Sequence, residues 1–234
     1  MDNISQILIH DIIEWDVINW SKFITFIDSN QIDLEGKVIL EIGANNGGIS
    51  LFCAYRGGKV VCSDLDGPTD KAKILHQKYK LDKLMTYEAI DALNIPTRYN
   101  SFFDIIIFKS VLGGIGRNNN IENQRLCIDN LHRCLKKGGI IVFAENMRST
   151  MLHMFLRKRV KKMSWHYATE NEILTLFSKL HLINKQYVGF LGCFGRNESQ
   201  REFFGKIDSI IFDKLIPEKY RYIGMYLFQK ADEA

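Results

Sequence analysis

Only three of the 234 residues are proline, and no internal repeat or low-complexity tract is present. The chain therefore lacks the composition of a linker, a repeat array or a disordered tail. The five cysteines (Cys53, Cys62, Cys127, Cys134 and Cys193) include no CxxC pair. An odd number at irregular spacing matches neither a zinc site nor a disulfide framework, and it predicts free thiols in a reducing compartment. Cys127 and Cys134 fall on one face of a predicted helix, where cysteine acts as a small apolar residue. Long apolar runs are missing too. Ile105–Phe108 and Ile140–Ala144 fall far short of the roughly 20 residues of a spanning helix. Met1–His10 opens with Asp2 and has no basic n-region. No secretory signal is expected, and the predicted location is cytoplasmic. Asp and Glu form no divalent-metal triad, so no metal is expected. Charge of one sign is scarce as well: 31 basic against 27 acidic residues leave only +4.

What is present is core-forming. Hydrophobic residues make up 46% of the chain, with 15 Phe and 9 Tyr, enough to bury the core of one domain spanning 1–234 and to exclude disorder as the dominant state. An N-terminal helix is predicted over Ile12–Asp28. Short apolar strands then alternate with amphipathic helices. The strands are Lys37–Glu41, Lys59–Asp64, Leu84–Glu88, Phe103–Phe108 and Ile140–Glu145. The helices are Gly47–Arg56, Thr69–Lys80 and Ile121–Leu135, the last closed by Gly138-Gly139. A capping box starts a helix over Thr169–Lys179. Two final strands, Ile183–Phe190 and Tyr222–Gln229, flank a helical insertion over Glu198–Leu215. Alternation of this kind predicts an α/β fold with a parallel sheet covered on both faces.

The strongest local signal is Val38-Ile39-Leu40-Glu41-Ile42-Gly43-Ala44-Asn45-Asn46-Gly47-Gly48, an apolar strand running through a glycine-rich turn into a helix. Small residues let a ligand approach the backbone, and the helix start offers free N–H groups. Asp64 ends the next strand, 21 residues beyond Gly43, where an acid can accept both hydroxyls of a ribose. Two ligands compete. A dinucleotide fingerprint requires glycine where Asn45 stands, and Glu41 would repel a pyrophosphate. An ammonium or sulfonium would instead be attracted to Glu41.

Glu41-Ile42-Gly43-Ala44-Asn45-Asn46-Gly47 resembles the ExGxGxG motif of the class I S-adenosylmethionine-dependent methyltransferases, with Asn45 replacing the middle glycine. Ala89-Ile90-Asp91-Ala92, Phe103–Phe108 and Leu135-Lys136-Lys137-Gly138-Gly139 resemble that family's later segments. The resemblance implies a Rossmann-like seven-stranded, mainly parallel sheet with a reversed C-terminal hairpin, and S-adenosyl-L-methionine as cofactor. It implies that Glu41, Gly43, Ala44, Asn45 and Gly47 lie along the methionine part and that Asp64 takes the ribose. Leu65, Asp91 and Ala92 would meet the adenine, and Phe108 is a further cofactor-binding candidate. Residues 1–35 would form a cap containing Trp15 and Trp20, 36–146 the cofactor core, and 147–234 the acceptor side.

Acceptor chemistry belongs at the carboxyl ends of the fourth and fifth predicted strands. No [DN]PP[YF] follows the fourth strand, which counts against DNA or glutamine amino groups. Lys109 there could bind an anion or pair at the surface. Glu145, His153 and His166 are candidate proton acceptors, each also readable as a structural residue, and Trp165-His166-Tyr167 is a candidate acceptor wall. His10, His76, His132 and His181 read as peripheral or as sitting on ordinary helix and strand faces. Met147–Lys162 holds six cations (Arg148, Arg157, Lys158, Arg159, Lys161 and Lys162) and no acid, which exceeds the net charge of the whole chain. It reads as a solvated helix end, as an anchor for a phosphorylated or carboxylated acceptor, or as an edge resting on an anionic membrane. Nucleic acid is not expected, because no RNA or DNA module flanks it. Glu145 through His153, Trp165–Tyr167 and Phe190–Arg196 also resemble a methyltransferase subgroup found with bacterial surface-polysaccharide genes. The expectation is methyl transfer to a small or glycan-linked acceptor, at oxygen before nitrogen. A cofactor-binding protein without turnover and a NAD(P)-dependent oxidoreductase are the alternatives.

Overall fold

The computed structural model describes residues 5–160 and 164–232. Strands β1 (Val38–Glu41), β2 (Lys59–Asp64), β3 (Met85–Ala89), β4 (Phe103–Lys109) and β5 (Leu135–Asn146) run parallel. Strands β6 (His181–Val188) and β7 (Ile223–Gln229) form an antiparallel hairpin, and β7 inserts beside β5. The order is β3-β2-β1-β4-β5-β7-β6, the seven-stranded sheet with a reversed hairpin that the sequence implied. Strand order reverses between β1 and β4, so their carboxyl ends open the crevice where ligands of such sheets bind.

Side-chain alternation divides the core into two layers. Ile39, Ile105, Ile107, Val142 and Ala144 face one layer. It is covered by α1 (Gln6–Ile13), α2 (Val17–Trp20), α3 (Lys22–Ser29) and α4 (Gly48–Tyr55). Leu40, Ile106, Phe108, Ile141 and Phe143 face the other, under α7 (Ile121–Cys134) and α9 (Glu170–Leu176). In this second layer Phe143 stacks on Phe108, Phe177 and Tyr226 at centroid distances of 4.7, 4.9 and 5.1 Å. Cys127 and Cys134 share the buried face of α7, and all five cysteines are free thiols.

Three sequence expectations change. The N-terminal helix is three short ones, because Glu14 and Asp16 adopt left-handed backbone (φ 68° and 48°). The N–H groups of Asp16 and Val17 are accepted by Glu198, from α10 (Glu198–Ile207), so a distant carboxylate starts α2. Helix α7 ends at Cys134, one residue early. Leu135 is already extended and pairs with Phe103. Gly138, at φ +67°, turns the chain within β5 and does not cap the helix. The last hairpin's first strand starts at His181 and ends at Val188. The capping box of Thr169 and Glu172 is present. Of the basic segment, α8 (Met151–Val160) is helical. Lys161 and Lys162 lie outside the described residues.

Truncating Phe143 would empty the centre of the aromatic stack. Phe143→Ala is expected to cost about 3–5 kcal/mol, read as a lower urea midpoint with an unchanged far-ultraviolet spectrum before the transition.

Candidate functional site

The glycine-rich turn is held from both sides. On the strand side, Glu41 is 3% exposed. Its Oε2 accepts the Ser50 N–H at 2.7 Å and also the Ser50 hydroxyl, tying the end of β1 to the first turn of α4. Burial pushes the Glu41 carboxyl up to about 8. On the other side His76, from α5 (Asp70–Lys78), is fully buried. Its Nε2 donates to the Gly47 carbonyl at 2.8 Å, and its Nδ1 accepts the Tyr87 hydroxyl at 2.9 Å. This tautomer is the one that satisfies both partners. His76 is therefore neither peripheral nor on an ordinary helix face: it is buried against the turn. Its helix carries few apolar residues, so periodicity gave no cue.

Glycine is required at two points of the turn. A Cβ on Gly43 would lie 2.6 Å from Val111, and one on Gly47 would lie 2.7 Å from the His76 ring; both have positive φ. Asn45, in the middle position, also has positive φ (47°). Asparagine is one of the few other residues that tolerate this conformation, which accounts for the departure from glycine. The Asn45 N–H donates to Asp64 Oδ2 at 2.8 Å, and the Leu65 N–H to Asp64 Oδ1 at 2.8 Å. Asp64 thus sits beside the turn, as β2 pairs with β1. Its own carbonyl accepts the Ile90 N–H at 2.9 Å. Asp91 is exposed, its Oδ1 accepting the Leu93 N–H at 2.8 Å. Leu65 is 62% exposed, and the Ala92 carbonyl accepts from Asn130.

A cavity of about 220 Å³ opens at the carboxyl ends of β1 and β4. Glu41, Gly43, Ala44 and Asn45 line it, together with Lys109 and Ser110. Its outer wall is the junction of α1 and α2, where Ile12, Glu14 and Trp15 face inward. That strap fits closely: the Ile12 carbonyl lies against Gly48, where any side chain would collide. The Ile13 carbonyl accepts from Lys109 Nζ at 2.8 Å. Two clefts of about 410 Å³ are larger but do not touch the turn. One lies at the opposite end of the central strands near Lys136 and Gly138, the other near Arg148, Thr169 and Arg221.

Phe108 is not in the cavity. It is fully buried in the aromatic stack, because one step along β4 reverses the face and puts Lys109 toward the strap instead. Trp15 lines the cavity, while Trp20 is wholly buried with its ring centroid 5.0 Å from that of Trp15.

Two of the candidate bases are committed elsewhere. Glu145 is 1% exposed. Its Oε2 accepts the N–H groups of Val111 and Leu112 at 2.9 and 2.7 Å, and Oε1 that of Asn146 at 3.0 Å. It fastens the start of α6 (Leu112–Ile115), and burial pushes its carboxyl up to about 7. His153 donates from Nε2 to the Phe190 carbonyl (2.8 Å) and accepts the Thr150 hydroxyl at Nδ1 (2.6 Å). Burial pulls it down to about 4. Both act as structural ties. His166 differs: Nδ1 meets Asn119 at 3.1 Å, Nε2 has no hydrogen-bond partner, and Glu172 lies 3.7 Å from that nitrogen. Trp165 is packed onto Gly113 and Gly114, so it pins the loop after β4. In the basic segment, Arg157 stacks on Tyr167 at 4.0 Å and donates to the Met147 carbonyl at 2.7 Å. Arg148 is exposed, 3.7 Å from Glu172. Among the described residues, no group of three or more His, Cys, Asp or Glu is placed to hold a metal ion.

Residues 40–143 match a family model described as a methyltransferase domain. Protein arginine N-methyltransferase 6 of Danio rerio is 32% identical over 87 residues, 37% of this chain. The chain spans only 24% of that relative's length. Among solved structures, a phosphoethanolamine N-methyltransferase of Haemonchus contortus in complex with S-adenosyl-L-methionine superposes with a TM-score of 0.64 at 16% identity. That match covers 91% of this chain and 53% of the other. A geranyl diphosphate C-methyltransferase of Streptomyces coelicolor gives 0.64 at 11% identity (90% and 77%). A methyltransferase of Methanosarcina mazei gives 0.59 at 17% (88% and 98%). These likenesses establish a common fold. The sheet order is that of the Rossmann-like methyltransferase fold, and the methyltransferase-domain match lies within it, over residues 40–143. The Haemonchus contortus enzyme binds S-adenosyl-L-methionine on this fold.

The raised carboxyls of Glu41 and Glu145, with Asp16 pushed up by burial to about 7, give a sign for pH dependence. Each binds its proton more tightly folded than unfolded, so stability falls as pH rises from the ordinary carboxylate range through about 7–8. Urea midpoints are expected to drop between pH 5 and 8.5, and Glu145→Gln to flatten part of that slope.

Proposed function

We propose that this protein transfers the methyl group of S-adenosylmethionine to a small or glycan-linked, anionic acceptor, at oxygen before nitrogen. The observation that carries the reading is the cavity at the switch point, bounded by the glycine-rich turn, with Asp64 and Asp91 following the next two strands. Bound there, the cofactor supplies an electrophilic methyl carbon on a sulfonium. The residues fit such a group: a small-residue turn, a buried acid, an ammonium and an exposed carboxylate share one cavity. Gly43, Ala44, Asn45 and Gly47 give backbone access to the methionine part, and Glu41 stiffens the turn beneath it. Asp64 accepts from the ribose, exchanging hydrogen bonds it now makes within the turn. Leu65, Asp91 and Ala92 meet the adenine.

In this reading residues 1–35 serve as the cap, 36–146 as the cofactor core and 147–234 as the acceptor side. In-line displacement asks mainly for alignment. With Glu145 and His153 taken up in structural bonds, His166, whose Nε2 is unpaired, is the group left to accept a proton. An anionic acceptor is supported by the exposed Arg148 and by the run of cations in the sequence of this segment. Met151, Leu152 and Phe155, at 86, 53 and 51% exposure on α8, support contact of this edge with a membrane surface carrying a lipid-linked acceptor. The five free thiols support a cytoplasmic setting, at the inner membrane face for that contact. Among the described residues no helix is long and apolar enough to cross a membrane.

Calorimetry with S-adenosylhomocysteine tests the cofactor site. Asp64→Ala is expected to weaken binding roughly 10–100-fold through lost charge-assisted hydrogen bonds; unchanged affinity would remove Asp64 from the site. Turnover can be followed with labelled cofactor against nucleotide sugars, phosphorylated small molecules and lipid-linked glycans. His166→Ala is expected to lower turnover on the accepted substrate while leaving cofactor affinity intact.

A further inference from the structure

Lys109 ends β4 on the face toward the strap and lines the cavity. Its ammonium has three N–H donors, and one of them is used, toward the Ile13 carbonyl. The rings of Trp15 and Trp20 lie 5.2 and 5.6 Å from Nζ. Among the described residues no carboxylate lies within ion-pair distance of it. Burial pulls the ammonium down to about 8, the mark of a cation whose lost hydration is not replaced. The same cavity contains the exposed carboxylate of Glu14, which accepts from Asn46 at 2.7 Å, and the buried acid of Glu41. A cation on one side and acids on the other suit a ligand end that carries both signs. They disfavour a second anion placed anywhere except beside Lys109.

We infer that Lys109 is the counter-ion for the α-carboxylate of the cofactor's amino-acid end, and so sets the preference for ligands that retain that carboxylate. The inference rests on the cofactor reading above and deepens it. The ligand carboxylate accepts one or two of the free N–H donors, while the bond to Ile13 keeps the strap closed across it. Recognition of the amino-acid end and closure of the N-terminal cap thereby meet at one ammonium. Two aromatic faces exclude water around it, which strengthens the ion pair.

Two ligands separate this role from a merely structural one. S-Adenosylhomocysteine carries the carboxylate, and 5′-methylthioadenosine keeps the nucleoside and sulfur but lacks the amino-acid end. By calorimetry, Lys109→Met is expected to weaken S-adenosylhomocysteine roughly 10–100-fold and to leave 5′-methylthioadenosine within about twofold. Lys109→Arg, which keeps the charge, is expected to recover part of the loss. Should the methionine variant not fold, Lys109→Gln, which retains an N–H donor toward Ile13, carries the same comparison. Equal weakening of both ligands would show that Lys109 only holds the strap, and an unchanged preference would show that it does nothing for the carboxylate; either overturns the inference. Failure of the wild type to bind S-adenosylhomocysteine overturns the cofactor reading and this inference with it.

Discussion

A carboxyl group buried at the end of β1 joins a strand to the helix that follows it. Glu41 accepts both the backbone N–H and the hydroxyl of Ser50, so the intervening turn has fixed ends. The turn is too tight for side chains at Gly43 and Gly47 and needs left-handed backbone at Asn45. Without an anchor, that conformation would be one of many open to a glycine-rich segment. His76 supplies the second anchor by holding the Gly47 carbonyl from α5. The cavity is a consequence of these two ties. Desolvation of Glu41 is costly in isolation, and its hydrogen bonds to Ser50 offset part of that cost.

The wall facing the turn is made in a different way. The strap of α1 and α2 has two left-handed non-glycine residues, a conformation that persists only where surroundings enforce it. Here the enforcement comes from the far end of the chain. Glu198 accepts the N–H groups of Asp16 and Val17. Asn19 donates to Asp208 at 2.9 Å, and Tyr222 donates to Asp16. Asp208 also holds the N–H groups of Leu191 and Gly192. Lys22 pairs with Asp213 at 2.6 Å. The helical insertion before the last strand is thus the brace that shapes the cap over the cavity. Asp16, which this brace buries and whose carboxyl burial pushes up, accounts for part of the expected pH sensitivity.

Much of this was legible in the residues. Strand–helix alternation, the turn from Glu41 to Gly48 and the acid at Asp64 defined the sheet and its switch point, since each depends on local pattern. The misreadings share a physical cause. Phe108 sits in the matched segment as a site candidate, but alternation along β4 gives the cavity to Lys109 and the aromatic core to Phe108. Glu145 and His153 have the right chemistry for a base, yet their hydrogen bonds reach residues distant in sequence, which no spacing announces. The break at Glu14–Asp16 has the same origin, a carboxylate 182 residues away. His76 carried no signal at all, because its partners are a loop carbonyl and a tyrosine on β3.

The central claim is that the cofactor turn is held in shape before any ligand arrives. Amide hydrogen exchange, with and without S-adenosylhomocysteine, tests it most directly. The Ser50 amide, bonded to a buried carboxyl, should exchange slowly in the free protein. Added ligand should then slow exchange chiefly in residues 12–15 and 43–48. Rapid exchange at Ser50 before addition, or no change in those two segments after it, would contradict the account.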